Sequence, residues 1–273
     1  MDTQPKPAET IKMGRFAPAW RRFAYRMMAN SFFVRTVRTA DGAFDTYVSG
    51  GSQLSVLDPR GVKIDHVHAR FIAKWVKPDS VVWDVGGNMG LFAFPAALKA
   101  SRGRVYTVEP DVELACNLVK SLRRKRNAGL PVTVLPFALS NVDGSASFLI
   151  ASHGRSMNKL DGVGAWHDNL FVASETRTVA VVRIDTIAKN FRPPDIVKID
   201  VEGAEMMVLE GGRATIAASR PVMLVEGPGD LWEPLRAYLA SLDYVMFDGQ
   251  FDDPPQIDMP VWDTVAVPRE KLT

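Results

Sequence analysis

Val-Val-Trp-Asp-Val-Gly-Gly-Asn-Met-Gly, Val81 to Gly90, joins a run suited to a strand buried on both faces, an acidic residue and a glycine turn. From Leu91 onward the chain is apolar enough for a helix packed on a sheet. Gly86 and Gly90 permit a tight turn and close approach of the backbone to a ligand. The combination reads as a nucleotide-type cofactor pocket. Dinucleotide sites space their glycines G-x-G-x-x-G and hold a pyrophosphate at the helix N-terminus. From Asp84 this chain reads D-x-G-x-x-x-G. A carboxylate beside the turn repels pyrophosphate and attracts an ammonium group. The expected ligand is therefore cationic, and S-adenosylmethionine fits: an ammonium, a sulfonium, a ribose and an adenine, with no phosphate.

Val105 to Val108 reads as the next strand and ends in Glu109-Pro110-Asp111. That is roughly 20 residues after the turn, the separation at which βαβ folds place a carboxylate on the ribose hydroxyls. Glu109 is the expected ribose ligand. Asp111 is expected to cap a helix in which Val112, Ala115, Val119 and Leu122 recur at helical spacing. Arg123, Arg124, Lys125 and Arg126 then read as a solvated helix end. Further on, Asp195 to Gly203 is a second buried-strand pattern delivering acidic groups to a glycine-marked helix start. A period of two puts Ile196, Lys198 and Asp200 on one face. Two readings stay open. Asp200 and Glu202 cap the next helix while Lys198 pairs with a carboxylate, or the three line a cofactor and acceptor pocket.

Six segments carry a resemblance to a known family: Val82-Trp-Asp-Val-Gly-Gly-Asn-Met-Gly90, Val108-Glu-Pro-Asp111, Phe137-Ala-Leu-Ser-Asn141, Arg183-Ile-Asp-Thr-Ile187, Val197-Lys-Ile-Asp-Val-Glu-Gly-Ala-Glu205 and Arg220-Pro-Val-Met-Leu-Val-Glu226. In order and spacing they resemble the FkbM-type S-adenosylmethionine-dependent methyltransferases, and the run from Lys198 to Glu205 is the most specific part. The resemblance implies a Rossmann-like class I methyltransferase fold: α/β, a seven-stranded mostly parallel sheet with helices on both faces. It also implies O-methylation of a hydroxyl on a sugar, glycolipid or polyketide-like natural product. Phe137 and Ala138 stand where relatives border the adenine. The expected cofactor-binding residues are Asp84, Gly86, Gly87, Asn88, Gly90, Glu109, Pro110, Phe137, Ala138 and Asp200. Gly87 stands where many relatives carry Ala, a change expected to leave binding intact.

Composition agrees with a globular enzyme: 273 residues, 47% hydrophobic and 23% charged, suit one domain plus an extension. The expected division is an N-terminal extension, 1–64, and a methyltransferase domain, 65–273, with an insertion at 152–174. A net charge of +2 points to no particular partner, and no nucleic acid is expected. Cys116 stands alone, which excludes an internal disulfide and a cysteine-rich metal site, and it is expected to pack as a small hydrophobe. No apolar run is long enough for a membrane span or a signal peptide, so a cytoplasmic location is expected. Lys12 to Arg38 holds seven basic and no acidic residues, interleaved with aromatics and methionines. It reads as an amphipathic helix packed on the core or on a second subunit of a homo-oligomer, or as one that touches an anionic membrane peripherally or a nucleic acid, the only argument for an RNA substrate. Phe44, Tyr47 and Val48 suggest strands within 41–64.

Methyl transfer from a sulfonium is an in-line displacement, and a hydroxyl acceptor must also lose a proton. Asp200, Glu202, Lys198 and His66 are the candidate catalytic groups, His66 as general base on a helix from about Asp65 to Val76. Two carboxylates near a hydroxyl could hold a divalent cation such as magnesium, but Asp200 and Glu202 alone are too few ligands, so no metal site is assigned. The insertion, with His153, Arg155, Ser156, Asn158, Trp166 and His167, reads either as a lid over a small-molecule or glycan acceptor or as a surface loop. Toward the C-terminus, Val222 to Glu226 reads as a strand bringing Glu226 to the rim that Asp200 occupies. Asp230 with Glu233 reads as a capping box. An RNA or protein methyltransferase and a non-catalytic S-adenosylmethionine-binding scaffold are the alternatives.

Overall fold

The computed structural model describes residues 32–49, 61–152, 155–163 and 171–272. The described chain opens with a hairpin, β1 (Phe32–Thr39) and β2 (Gly42–Ser49), followed by α1 (His66–Trp75), β3 (Val81–Val85), α2 (Ala93–Lys99), β4 (Arg104–Val108), α3 (Val112–Leu122) and β5 (Val132–Leu135). Next come β6 (Ala138–Leu139), β7 (Gly144–Ala151), β8 (Lys159–Leu160), β9 (Ala173–Val182) and the single turn α4 (Ile184–Ile187). The chain then returns to the main sheet through β10 (Ile196–Ile199), α5 (Glu205–Gly211), α6 (Arg213–Ser219), β11 (Val222–Glu226), α7 (Gly229–Ser241), β12 (Tyr244–Asp248), β13 (Gln256–Ile257) and β14 (Asp263–Pro268).

The main sheet has the order β13-β12-β14-β11-β10-β3-β4-β5. Strands β5, β4, β3, β10 and β11 are parallel, β14 is antiparallel to β11 and β12, and β13 is antiparallel to β12. The expected seven strands become eight. The extra one is a two-residue pairing of Gln256 and Ile257 with Phe247 and Met246, contributed by a Pro-rich loop that shows no strand periodicity in sequence. Strand order reverses between β3 and β10, so the crevice beyond their carboxyl ends is where an open α/β sheet binds its ligand. Alternation along the central strands explains the layers. Val82, Ile196, Val222 and Leu224 pack against Phe71, Ile72, Phe92 and Ala96 of one helical layer. Trp83, Val85, Val197, Ile199 and Met223 meet Leu209, Ile216, Leu235 and Leu239 of the other. Each such fully buried side chain contributes roughly 1.5–3 kcal/mol of transfer free energy. A separate four-stranded sheet, β6-β9-β7-β8, leads into and out of the insertion.

The hairpin buries Val37, Phe44 and Val48 against Met89, Phe94 and Leu118. Asp45 and Asn127 exchange backbone and side-chain bonds at 2.9 and 2.6 Å, and Arg126 pairs with the Asp45 carboxylate at 3.2 Å. The basic run after α3 is therefore exposed but partly engaged. Several expectations are corrected. Phe32 to Thr39 is a strand, so the basic-aromatic stretch is not one helix to Arg38, and its remainder, 12–31, lies outside the described residues, as do Leu54, Val56 and Leu57. Cys116, Val112 and Val119 are exposed, because α3 buries Leu114, Ala115 and Leu118 together with Asn117 and Ser121, and Ser121 accepts from Tyr47 N–H of the hairpin. No capping box starts α7: Pro228 precedes it without a side-chain cap, and Glu233 pairs with Arg236 instead. Among the described residues no helix is long and apolar enough to cross a membrane.

The glycine turn is fixed by its neighbours. Gly86 and Gly87 N–H both donate to the Val108 carbonyl, at 3.0 and 2.9 Å. Gly86 has φ +88°, and a Cβ there would meet the Asp200 carbonyl oxygen at 1.9 Å. A Cβ on Gly87 would meet Thr107 Oγ1 at 2.1 Å, and that hydroxyl donates to buried Asp84 at 3.0 Å. Ala at position 87 is thus not neutral in this chain. Gly87→Ala should lower unfolding free energy by roughly 1–3 kcal/mol through overpacking, read as a lower urea midpoint; an unchanged midpoint would show that Thr107 yields without cost.

Candidate functional site

A cavity of about 600 Å³ opens beyond the carboxyl ends of β3, β4 and β10. Gly86 and Asn88 form its floor, Glu109 and Pro110 one end, and Ala138 and Leu139 an apolar wall. Glu109 is 5% exposed and accepts from the N–H groups of Asn88 and Asp111 at 2.7 and 2.8 Å. These bonds fix the carboxylate, and each oxygen keeps a lone pair for a ligand hydroxyl. Burial pushes Glu109 up to about 7, against the lowering effect of its two amide donors. Two acceptors on the same cavity wall, Asn88 Oδ1 and Glu205 Oε2, are buried with no hydrogen-bond partner among the described residues. A ligand rich in N–H and O–H donors suits this wall, because buried acceptors without partners are costly.

Charge at the junction of β3 and β10 is organised by one register pair. Lys198 lies directly beside Asp84, whose other neighbour is Thr107. The Lys198 ammonium donates to Asp200 at 2.9 Å and to the Gly86 carbonyl at 3.2 Å, and stands 3.9 Å from Asp84. Burial disfavours this ammonium, yet Asp200, Asp84 and Glu226 together hold its pKa above the ordinary lysine value, so it stays protonated. Asp84 is fully buried beneath the turn and lines neither cavity; burial pushes it up to about 6, with Lys198 opposing. Glu202, at φ +56°, faces the larger cavity; burial and the charges of Asp200, Glu205 and Glu226 hold it well above the carboxylate range. Glu205 uses Oε1 to accept from Val201 and Gly203 N–H at 3.2 and 3.0 Å, bracing the loop before α5.

A second cavity of about 430 Å³ shares Gly86, Asn88 and Asp200 with the lining of the first and is bounded by Asp65, His66, His68, Leu91, Phe92 and Lys198. The side chain of His66 is 63% exposed and touches Gln250 at 3.3 Å, so it sits at the mouth. Of the two described histidines His68 is the more buried, its side chain 15% exposed. Its Nε2 lies 2.6 Å from Glu226 Oε1, and its ring meets Phe92 edge-on at 5.4 Å. The signal was present in sequence: His68, Phe71, Ile72 and Trp75 fall at i, i+3, i+4 and i+7, the core-facing stripe of α1, whereas His66 lies off it. Asp65 caps this helix, accepting from Val67 N–H at 2.7 Å.

Of the other expected residues, Gly87 borders the second cavity, Gly90 packs toward Phe94 and Leu118, and Phe137 packs on the core while Ala138 and Leu139 take the wall. In the insertion, Arg155, Ser156 and Asn158 reach the larger cavity; His153 and Trp166 with His167 lie outside the described residues. Arg155 pairs with Asp111 at 2.7 Å and with Glu113, Arg177 reaches the same two carboxylates at 3.0 Å each, and Asn158 donates to Asp111 at 3.0 Å. Asp111 thus caps α3, bonding Glu113 N–H at 2.9 Å, and also anchors the insertion. Among the described residues no group of three or more His, Cys, Asp or Glu side chains is arranged to hold a metal ion.

The sequence profile of the Methyltransferase FkbM domain matches residues 84–246. The chain is 29% identical over 149 residues to the hexuronic acid methyltransferase AglP of Haloferax volcanii, covering 52% of this chain and 54% of that protein. It is 27% identical over 199 residues to the 2-O-methyltransferase NoeI of Sinorhizobium fredii, covering 68% and 80%. The match thus spans about half the length of AglP. A crystal structure of Methyltransferase FkbM from Methylobacillus flagellatus aligns at 20% identity with a TM-score of 0.46, covering 70% of this chain and 43% of that one. The mixed sheet with helices on both faces is a class I methyltransferase-like α/β fold. Because the family match runs from Asp84 to Met246, over more than half of the 273 residues, this chain belongs to the FkbM family of S-adenosylmethionine-dependent methyltransferases.

Proposed function

We propose that the domain transfers a methyl group from S-adenosylmethionine to a hydroxyl of a sugar or sugar-containing acceptor. The carrying observation is the larger cavity, whose lining combines the glycine turn, the Glu109 carboxylate and the apolar Ala138-Leu139 pair, groups suited to an amino-acid end, a ribose and an adenine. The residues fit that cofactor: its ribose hydroxyls, ammonium and adenine amino group supply donors for the free lone pairs of Glu109 and for Asn88 Oδ1 and Glu205 Oε2, which have no partner among the described residues. Bound there, it supplies a methyl carbon made electrophilic by the sulfonium. The sugar class is supported by the names of AglP and NoeI. The basic N-terminal stretch, which was the argument for RNA, lies mainly outside the described residues.

The chain's own groups divide the work. Glu109 orients the ribose, and Gly86 and Asn88 let the backbone approach the amino-acid end. Asp200 lines both cavities; one oxygen is held by Lys198, and the other accepts from a neighbouring hydroxyl of the acceptor and so orients the reacting oxygen toward the methyl. Lys198 positions Asp200, and Glu202 lines the larger cavity beside it. Asp200→Asn should reduce turnover roughly 100-fold or more while leaving the circular dichroism spectrum and S-adenosylhomocysteine affinity near wild type. Activity close to wild type would remove Asp200 from the reaction.

A second expectation follows from Glu109. The ionised form accepts ribose hydroxyls better, and this group protonates near 7. Calorimetric affinity for S-adenosylhomocysteine should therefore weaken as pH falls through 7, approaching about tenfold per unit below it, and Glu109→Gln should flatten the profile. A pH-independent affinity in the wild type would place the ribose elsewhere.

A further inference from the structure

Resting on the methyltransferase reading, we propose that the second cavity is the acceptor site and that His68 on its wall, held by Glu226, takes the proton from the sugar hydroxyl that is methylated. In-line displacement requires the nucleophile to approach opposite the departing sulfur. With the nucleoside end held at Glu109, the methyl-bearing end lies beside Gly86, Asn88 and Asp200, and these three residues also line the second cavity. Its walls suit a sugar ring. Leu91 and Phe92 offer an apolar surface for ring C–H bonds, while Asp65, His66 and Lys63 offer hydroxyl partners.

The other polar groups are committed. The Lys198 ammonium has no lone pair, Asp200 is ion-paired with it at 2.9 Å, Glu205 braces its loop through two amides, and Glu109 lies at the far end of the larger cavity. His68 remains. With Nε2–H donating to Glu226 at 2.6 Å, the neutral ring keeps its lone pair on Nδ1, and Glu226 fixes the ring and stabilises the imidazolium that forms. The step balances: the O–H proton passes to the imidazole, the oxygen bonds to the methyl carbon, and the carbon–sulfur bond breaks to leave a neutral thioether.

The charged groups facing His68 are Asp65 at the start of α1, Asp84 on β3, Lys198 and Asp200 beside β10, Glu226 on β11, Asp263 on β14, and Lys63 and His66 across the cavity. Burial lowers the pKa of the ring and Lys198 adds to that, but the bond to Glu226 prevails and the net direction is upward from 6.5. Turnover should accordingly rise with pH through the titration of His68.

The test uses the full chain, proton NMR titration of the histidine rings, calorimetry with S-adenosylhomocysteine, and a panel of methyl hexosides and methyl hexuronosides with methyl-labelled S-adenosylmethionine. The wild type should show the His68 ring, assigned by its loss in His68→Gln, titrating above the ordinary value and moving down in Glu226→Gln. His68→Gln should cut kcat roughly 100-fold or more and abolish the ascending pH limb while keeping S-adenosylhomocysteine affinity. Near-normal kcat in His68→Gln, or a ring indifferent to Glu226→Gln, would overturn the proposal. A wild type that binds S-adenosylhomocysteine yet methylates no sugar of the panel would overturn the sugar-acceptor reading itself, and the inference with it.

Discussion

The site is organised around one buried ammonium. Lys198 lies in the core between Asp84 and Asp200, with Asp84 set beside it by the parallel register of β3 and β10. Its bond to the Gly86 carbonyl ties the glycine turn to β10, and its ion pair holds Asp200, which lines both cavities. Stripping such a charge of its partners costs on the order of 3–5 kcal/mol, so the positions of the turn, Asp200 and Glu202 are set together. The same ammonium opposes the burial that pushes Asp84 up to about 6.

A second constraint lies at Glu109. Glu109 bonds Asp111 N–H, while the Asp111 side chain caps α3 and receives Arg155, Arg177 and Asn158. The helix start that shapes the cavity is thereby also the anchor of the insertion. Arg155 further lies over the Phe32 ring at 5.9 Å, linking the insertion to the N-terminal hairpin. Segments far apart in sequence close over one end of the cavity through charge pairs that are themselves shielded from water.

The strands and the glycine turn were legible because burial on both faces leaves continuous apolar runs, and the turn needs residues without Cβ. Glu109 was legible from its place at the end of β4. Less visible was the choice between His66 and His68, which depends on helical phase rather than on residue type. The face of α3 was misjudged for a related reason: Asn117 and Ser121 are polar yet buried, because the hairpin and the residues after the helix bond to them. Asp84 was expected beside the ligand's ammonium, but the register with Lys198 supplies that cation from the protein itself. The Arg155 network depends on folding of the four-stranded sheet and leaves no local signature.

The most direct test is a crystal structure with S-adenosylhomocysteine. The account predicts ribose hydroxyls on Glu109, adenine against Ala138 and Leu139, and the sulfur beside Asp200. Nucleoside density in the second cavity, against His68 and Phe92, would contradict it.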